Sequence, residues 1–253
     1  MAVAPQMNRP MPAIASIRAL VLAPLVEQID RRSGKTDLLL AAHGILRSQL
    51  DDPYAMIPMA RYVAIFEEAA LITGEPSLGA RLGTLFKPSD IGPIGVLFSI
   101  SGTIRAGFER LAKYVNTVQS ATSSGVFEED GNLVWSYRLE DARMWPRRQD
   151  SEFSVVASCQ LVRSCFAKSW KPLEVHFEHL APRDRSVLER IFRCPLKFGE
   201  SANRIIVDGR DAARLYRQED PALSAVLERH VAEMVGKALT PDSISERVRA
   251  LIG

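Results

Sequence analysis

Two histidines three residues apart, His176 and His179, are the first pair in the chain that could hold a metal ion. They fall in the run Leu173-Glu-Val-His-Phe-Glu-His179, which reads as a strand started after Pro172. Positions i and i+3 of a strand point to opposite faces, so the two rings cannot converge on one ion. The remaining two histidines are distant in sequence, and no metal centre is expected. One of the pair should line the interior and the other the surface.

Glu152 is the next candidate. It stands near the start of a helical stretch, after Arg147, Arg148 and Asp150. A first-turn acid complements the helix dipole, which is the plainer reading. The functional alternative is a buried carboxylate facing a ligand. A nucleophile system is not visible: no G-x-S-x-G elbow occurs, and Ile100-Ser-Gly-Thr103 fits no hydrolase pattern. Gly92-Pro-Ile-Gly95 is too short and apolar to cradle phosphate. Cys159, Cys165 and Cys194 form no CxxC pair and read as reduced thiols of a cytoplasmic protein. No cofactor is implied.

The elements that would position these groups follow from periodicity. Leu38 to Leu50 repeats at helical spacing and is stopped by Asp51-Asp52-Pro53. A second helix starts at Pro58, with Ala60, Val63, Ala64, Phe66, Ala70 and Leu71 as its apolar positions, and ends at Gly74. A shorter helix crosses Ser77 to Phe86, a loop or tight helical entry follows over Asp90 to Gly95, and Thr103 caps another helix. The period then changes. Gly125 to Glu129 and Leu133 to Leu139 flank Asp130-Gly131-Asn132, a hairpin signal that puts Trp135, Tyr137 and Leu139 on one face.

A long helix over about Arg148 to Lys168 carries the stripe Phe153, Val156, Ala157, Leu161, Ser164 and Cys165. The strand around His176, a helix from about Asp184 to Phe192, and strands at Leu196 to Phe198 and Arg204 to Val207 complete a small mixed sheet. The fold class is α+β: a helical N-terminal lobe, then a sheet with packed helices, then a C-terminal amphipathic helix. That last helix opens at Pro221 and places Leu223, Val226, Leu227, His230, Val231 and Met234 on one stripe. Such a stripe either packs on its own domain or pairs with a two-fold mate.

The chain of 253 residues carries a net charge of +2, so a general nucleic-acid sleeve is not indicated. Aromatic residues are few and not interleaved with basic runs, which excludes an RNA-stacking platform. The longest apolar run, Ile91 to Ile104, is broken by Gly, Pro and Ser and is too short to cross a bilayer. Residues 1–14, rich in Pro and Met, read as a flexible tail.

Several short motifs carry a resemblance. They are Leu50-Asp-Asp-Pro-Tyr-Ala-Met-Ile-Pro-Met59, Thr73-Gly-Glu-Pro-Ser-Leu-Gly79, Asp90-Ile-Gly-Pro-Ile-Gly95, Lys171 to Asp184, Phe192 to Asp208, and Asp220-Pro-Ala-Leu223. In order and spacing they resemble the N-terminal effector-binding region of one AraC/XylS-type branch of transcriptional regulators, the arabinose-binding-domain-like branch. The resemblance covers about residues 15–240. It implies a one-component sensor that binds a small-molecule effector, forms a homodimer, and acts on promoter DNA through a C-terminal helix-turn-helix domain.

On that basis residues 15–238 are expected to be the sensing and dimerisation domain. Residues 239–253 would be a linker and the start of the DNA-binding domain, with Ser243 and Glu246 as a capping box. No recognition helix is present to read a major groove. The expected ligand contacts are Trp135, Tyr137 and His176 from the strands and Glu152 from the covering helix; the expected dimer face is Leu223, Val226, Leu227, His230, Val231 and Met234. A regulator rather than an enzyme is expected. The rival is a small-molecule enzyme using Glu152 and His176 as an acid–base pair, which requires the two side chains to be in mutual reach. A third reading is a stand-alone partner of a full-length regulator, docking through the Leu223–Val235 face.

Overall fold

A computed structural model describes residues 15–239 apart from 33, 53, 116 and 117. The expected tail at 1–14 and the capping box near Ser243 lie outside the described residues, and so does the side chain of Met234. The architecture is α+β, a helical lobe joined to a five-stranded sheet through one central helix.

The chain enters as a short strand β1 (Ser16–Arg18) paired antiparallel with β2 (Met56–Pro58). Between them lie α1 (Ala23–Arg32) and α2 (Thr36–Ala42). The helix expected over Leu38 to Leu50 is broken. Gly44 adopts φ +61°, a left-handed conformation that glycine tolerates without Cβ strain. The chain resumes as a 3-10 turn at Arg47–Leu50, and Leu38 and Leu46 are exposed.

Next come α3 (Met59–Ile72) and α4 (Leu78–Gly83). Of the apolar positions expected on α3, Val63, Phe66 and Ala70 are buried while Ala60, Ala64 and Leu71 face solvent; Met59, Tyr62 and Ala69 complete the buried side. The stretch after Asp90 is the tight entry to a helix, α5 (Pro93–Ile100), with proline in its first turn where no N–H is needed. Thr103 caps α6 (Ile104–Tyr114) by accepting from the Ala106 amide at 3.0 Å, as expected.

The sheet order is β3-β4-β7-β5-β6, with β3 (Thr122–Glu129), β4 (Asn132–Leu139), β5 (Glu174–Phe177), β6 (Leu196–Phe198) and β7 (Asn203–Val207). Only β5 and β6 run parallel; the other pairs are antiparallel. Asp130 and Gly131, both at positive φ, make the two-residue turn between β3 and β4. One sheet face carries Leu133, Trp135, Tyr137, Val175, Phe177, Ile205 and Val207, all buried.

Helix α7 (Arg148–Cys165) packs between that face and the lobe of α3, α4 and α5. It is therefore buried nearly all round, not along one stripe: Val155, Cys159 and Val162 are enclosed along with Phe153 and Val156, while Ser164 is exposed. Gly79 of α4 permits the closest approach, since a Cβ there would sit 2.0 Å from the Gln149 carbonyl oxygen. Helices α8 (Ser186–Phe192), α9 (Gly209–Ala213) and α10 (Pro221–Leu239) complete the chain.

Candidate ligand-binding site

The core side of β4 and the inner flank of α7 leave a cavity of about 80 Å³. Tyr62 of α3, Trp135 and Tyr137 of β4, and Phe153, Ser154 and Ser158 of α7 line it, with Gln119 from the segment before β3. Strand parity explains two of these. Trp135 and Tyr137 are two residues apart, so both project to the core face, where their rings stack with centroids 5.9 Å apart. Phe108 of α6 stacks on the other side of Trp135 at 5.7 Å.

The cavity is mostly apolar with a short polar relay. The Gln119 amide donates to Thr122 Oγ1 at 2.8 Å and to the Tyr137 hydroxyl at 3.1 Å, and Tyr137 donates to Asp150 Oδ2 at 3.1 Å. Burial pushes the Asp150 carboxyl up from 3.8 to about 7, against the pull of the Tyr137 hydrogen bond. Burial, then the Asp150 charge, holds Tyr137 well above the ordinary range. Trp135 Nε1 is buried and has no hydrogen-bond partner.

A second cavity of about 140 Å³ adjoins the first; Val21, Ile91, Ile94 and Val118 line both. Its wall is more polar, with Arg18, Tyr54, Asp90 and His230. Arg18 is largely buried, and its guanidinium lies 5.5 Å from the Tyr54 ring centroid. Burial lowers its pKa, with the Tyr54 and Asp52 charges opposing. Asp90 is engaged in a cap, accepting from the Lys87 amide at 2.9 Å.

Of the four expected ligand contacts, Trp135 and Tyr137 lie together in the inner cavity. Glu152 and His176 do not join them. Strand β5 ends at Phe177, and its core face carries Val175 and Phe177. His176 therefore lies on the opposite face, bonded to Glu174 at 2.5 Å and paired across the sheet with Arg204. Residues 175, 177 and 179 share a parity, so His179 lies with Phe177 on the core side, their rings 4.9 Å apart.

His179 turns toward Glu152, with Nε2 at 3.8 Å from Oε1. Glu152 is fully enclosed and pairs with Arg148 Nε at 2.6 Å. Burial raises Glu152 to about 7 and lowers His179 to about 4. The acid–base pair of Glu152 with His176 is thus not assembled. Glu152 is not among the residues that line either cavity.

The start of α7 is instead a structural knot. Arg147 and Glu178 form a buried bidentate pair at 2.8 and 2.7 Å. Ser151 and Asn203 also donate to the Glu178 carboxylate. Gln149 ties α7 to α4 and α3 through the Gly79 amide at 2.8 Å and Glu67 at 2.7 Å.

Helix α10 divides the expected dimer stripe. Val231 is fully buried against its own domain and Leu227 is half-buried there. Leu223, Val226 and His230 are exposed, and His230 also lines the outer cavity. The helix is fastened by Glu219, which meets Arg110 Nη2 at 2.7 Å and accepts from the Gly102 amide at 2.6 Å. Glu228 accepts from the Tyr114 hydroxyl at 3.1 Å. Among the described residues no group of three or more His, Cys, Asp or Glu could hold a metal ion. No helix there is long and apolar enough to cross a membrane.

Residues 34–215 match a family described as the arabinose-binding domain of AraC transcription regulators, N-terminal. The match covers well over half of the chain, and the chain belongs to that family of regulatory sensing domains, which is not an enzyme family. The crystal structure of the transcriptional regulator CdpR from Pseudomonas aeruginosa shares the fold, with a TM-score of 0.55 at 16% identity, over 85% of this chain and 67% of that one. No curated protein sequence matches this chain.

Proposed function

We propose that this chain is the effector-sensing and dimerisation domain of an AraC-type transcriptional regulator of the cytoplasm. The inner cavity takes a small-molecule effector, with Tyr62, Trp135 and Tyr137 as its walls and the Gln119–Tyr137–Asp150 relay as its polar anchor. The single observation behind this reading is an apolar chamber with a few convergent polar groups, set in the core of a regulator sensing domain.

The exposed Leu223 and Val226 on α10 provide the face for a homodimer. In a longer protein the same helix leads toward a helix-turn-helix domain that binds the promoter, and the effector biases that domain by binding two arrangements with different affinity. Thermal-shift screening against amino acids, sugars, aromatic acids and fatty acids tests the reading. An effector raises the melting temperature in proportion to the logarithm of its concentration. If Ala157→Trp, which fills the inner cavity, leaves that shift intact, the effector does not bind there and the reading falls.

A further inference from the structure

We infer that the effector is a small uncharged ring compound with a hydrogen-bond acceptor, its ring in the inner cavity and its acceptor on Trp135 Nε1. This assignment deepens the sensing reading above and rests on it. The side chains that line the inner cavity include no Asp, Glu, Lys, Arg or His. An ion that entered would give up its water and meet no counter-charge, a loss that apolar contact does not offset. The adjoining outer cavity supplies none either. Arg18 there has Asp90 in the same wall and Asp52 acting on it, so its charge is already offset toward an anion. A cation would meet Arg18, and Asp90 already accepts from the Lys87 amide. His230, the other basic group of that wall, is exposed and screened by water.

Shape favours a ring. Tyr62, Phe86, Trp135, Tyr137 and Phe153 give the inner cavity aromatic walls, which suit a flat partner through stacked and edge-to-face contacts. The cavity of about 80 Å³ adjoins the outer one of about 140 Å³ along Val21, Ile91, Ile94 and Val118. An apolar cavity of about 150 Å³ takes benzene, so the joined space suits one ring with a short substituent.

The wall also selects an acceptor. Gln119 spends its amide hydrogens on Thr122 and Tyr137, and Tyr137 spends its hydroxyl hydrogen on Asp150. Phe108 and Tyr137 stack against the Trp135 ring, so its edge is what remains for the cavity. Among the described residues of the wall, Trp135 Nε1 is a buried donor without an acceptor. A ligand oxygen that reaches it removes the cost of that unmade bond.

Titration calorimetry on this chain at neutral pH, with acetophenone, ethylbenzene, benzoate and benzylamine, varies charge and acceptor at nearly constant shape. Acetophenone should bind about threefold to tenfold more tightly than ethylbenzene, the worth of one neutral hydrogen bond. Benzoate and benzylamine should bind at least about a hundredfold more weakly than acetophenone, since each buries an unpaired charge. Trp135→Phe should bring the ratio of acetophenone to ethylbenzene affinity to about one, with unchanged circular dichroism. Ala157→Trp should abolish binding of both.

No binding of acetophenone, benzoate or benzylamine binding as tightly as acetophenone, or a ratio that survives Trp135→Phe would overturn the inference. If acetophenone fails while another class of compound binds and is blocked by Ala157→Trp, the ring assignment falls and the sensing reading stands. If acetophenone binds and Ala157→Trp leaves that binding intact, both fall.

Discussion

Lowering the pH from neutral should stabilise this protein, and Asp150→Asn should remove most of that response. Three enclosed groups set the sign. Asp150 rises from 3.8 to about 7 and Glu152 from 4.5 to about 7, both mainly through burial. Between about pH 5 and about pH 6.5 the folded chain keeps both protons while the unfolded chain has released them. Their stabilising effect is full below the unfolded values and is lost as pH rises through the folded ones.

His179 opposes them. Its pKa falls from 6.5 to about 4, so the unfolded chain gains a proton there that the folded chain refuses. That contribution is present above the unfolded value and disappears as pH falls through the folded one. Two protons against one leave the folded state richer by one, so stability should decline by about 1.4 kcal/mol per pH unit across the window. Glu67, also raised by burial, acts in the same sense at the acidic end. Asp30, Asp141, Glu174, Glu219 and Glu228 are lowered and matter only at more acidic pH.

Asparagine at 150 keeps an oxygen to accept from Tyr137 but cannot ionise, which brings the proton balance to zero. Urea unfolding at closely spaced pH values, with the slope m checked for constancy, reads the effect directly. A wild-type stability that rises with pH across the window, or an Asp150→Asn protein that keeps the wild-type slope, would refute the burial argument.

Other substitutions probe the frame around the site. Glu178→Leu strands Arg147 without its carboxylate and should cost about 3–5 kcal/mol in urea unfolding, whereas Arg147→Met with Glu178→Leu should recover most of it. Gly79→Ala forces α4 away from the Gln149 carbonyl and should cost about 1–3 kcal/mol, measured as a fall in melting temperature. Val226→Asp adds a charge to the exposed face of α10; sedimentation should report monomer for the variant and dimer for the wild type, with unchanged circular dichroism.

Local chemistry was the legible part of the sequence. The Thr103 cap, the Asp130-Gly131 turn and the alternation along β4 each depend on a few neighbouring residues, and parity with side-chain type puts Trp135 and Tyr137 on one face, which lines the inner cavity. Tertiary burial was not legible. Helix α7 carries acids and an arginine in its first two turns, so its pattern reads as one-sided, yet the sheet and the α3–α4 lobe enclose it from both sides. Glu152 consequently reads as a dipole complement when it and Asp150 are both enclosed. Tyr62 is legible from the helical spacing Met59, Tyr62, Phe66, Ala69, which shares Phe66 with the stripe read from the sequence. His179 rather than His176 lies beside Glu152 because the odd positions Val175 and Phe177 form the core face of β5, and the alternation alone does not say which of the two faces is turned inward.

The 19 residues of α10 span about 28 Å at ~1.5 Å per residue. Its fastening to Arg110 and Tyr114 ends at Glu228, and His230 meets the outer cavity two residues later. Val231, fully buried one residue further on, is the last anchor among the described residues and makes this turn a fulcrum, with a long arm toward Leu239. A tilt of about 10° about Val231 shifts the backbone at His230 by only about 0.3 Å but swings Leu239 by about 2 Å. A contact too slight to alter the core can in this way be delivered downstream as leverage.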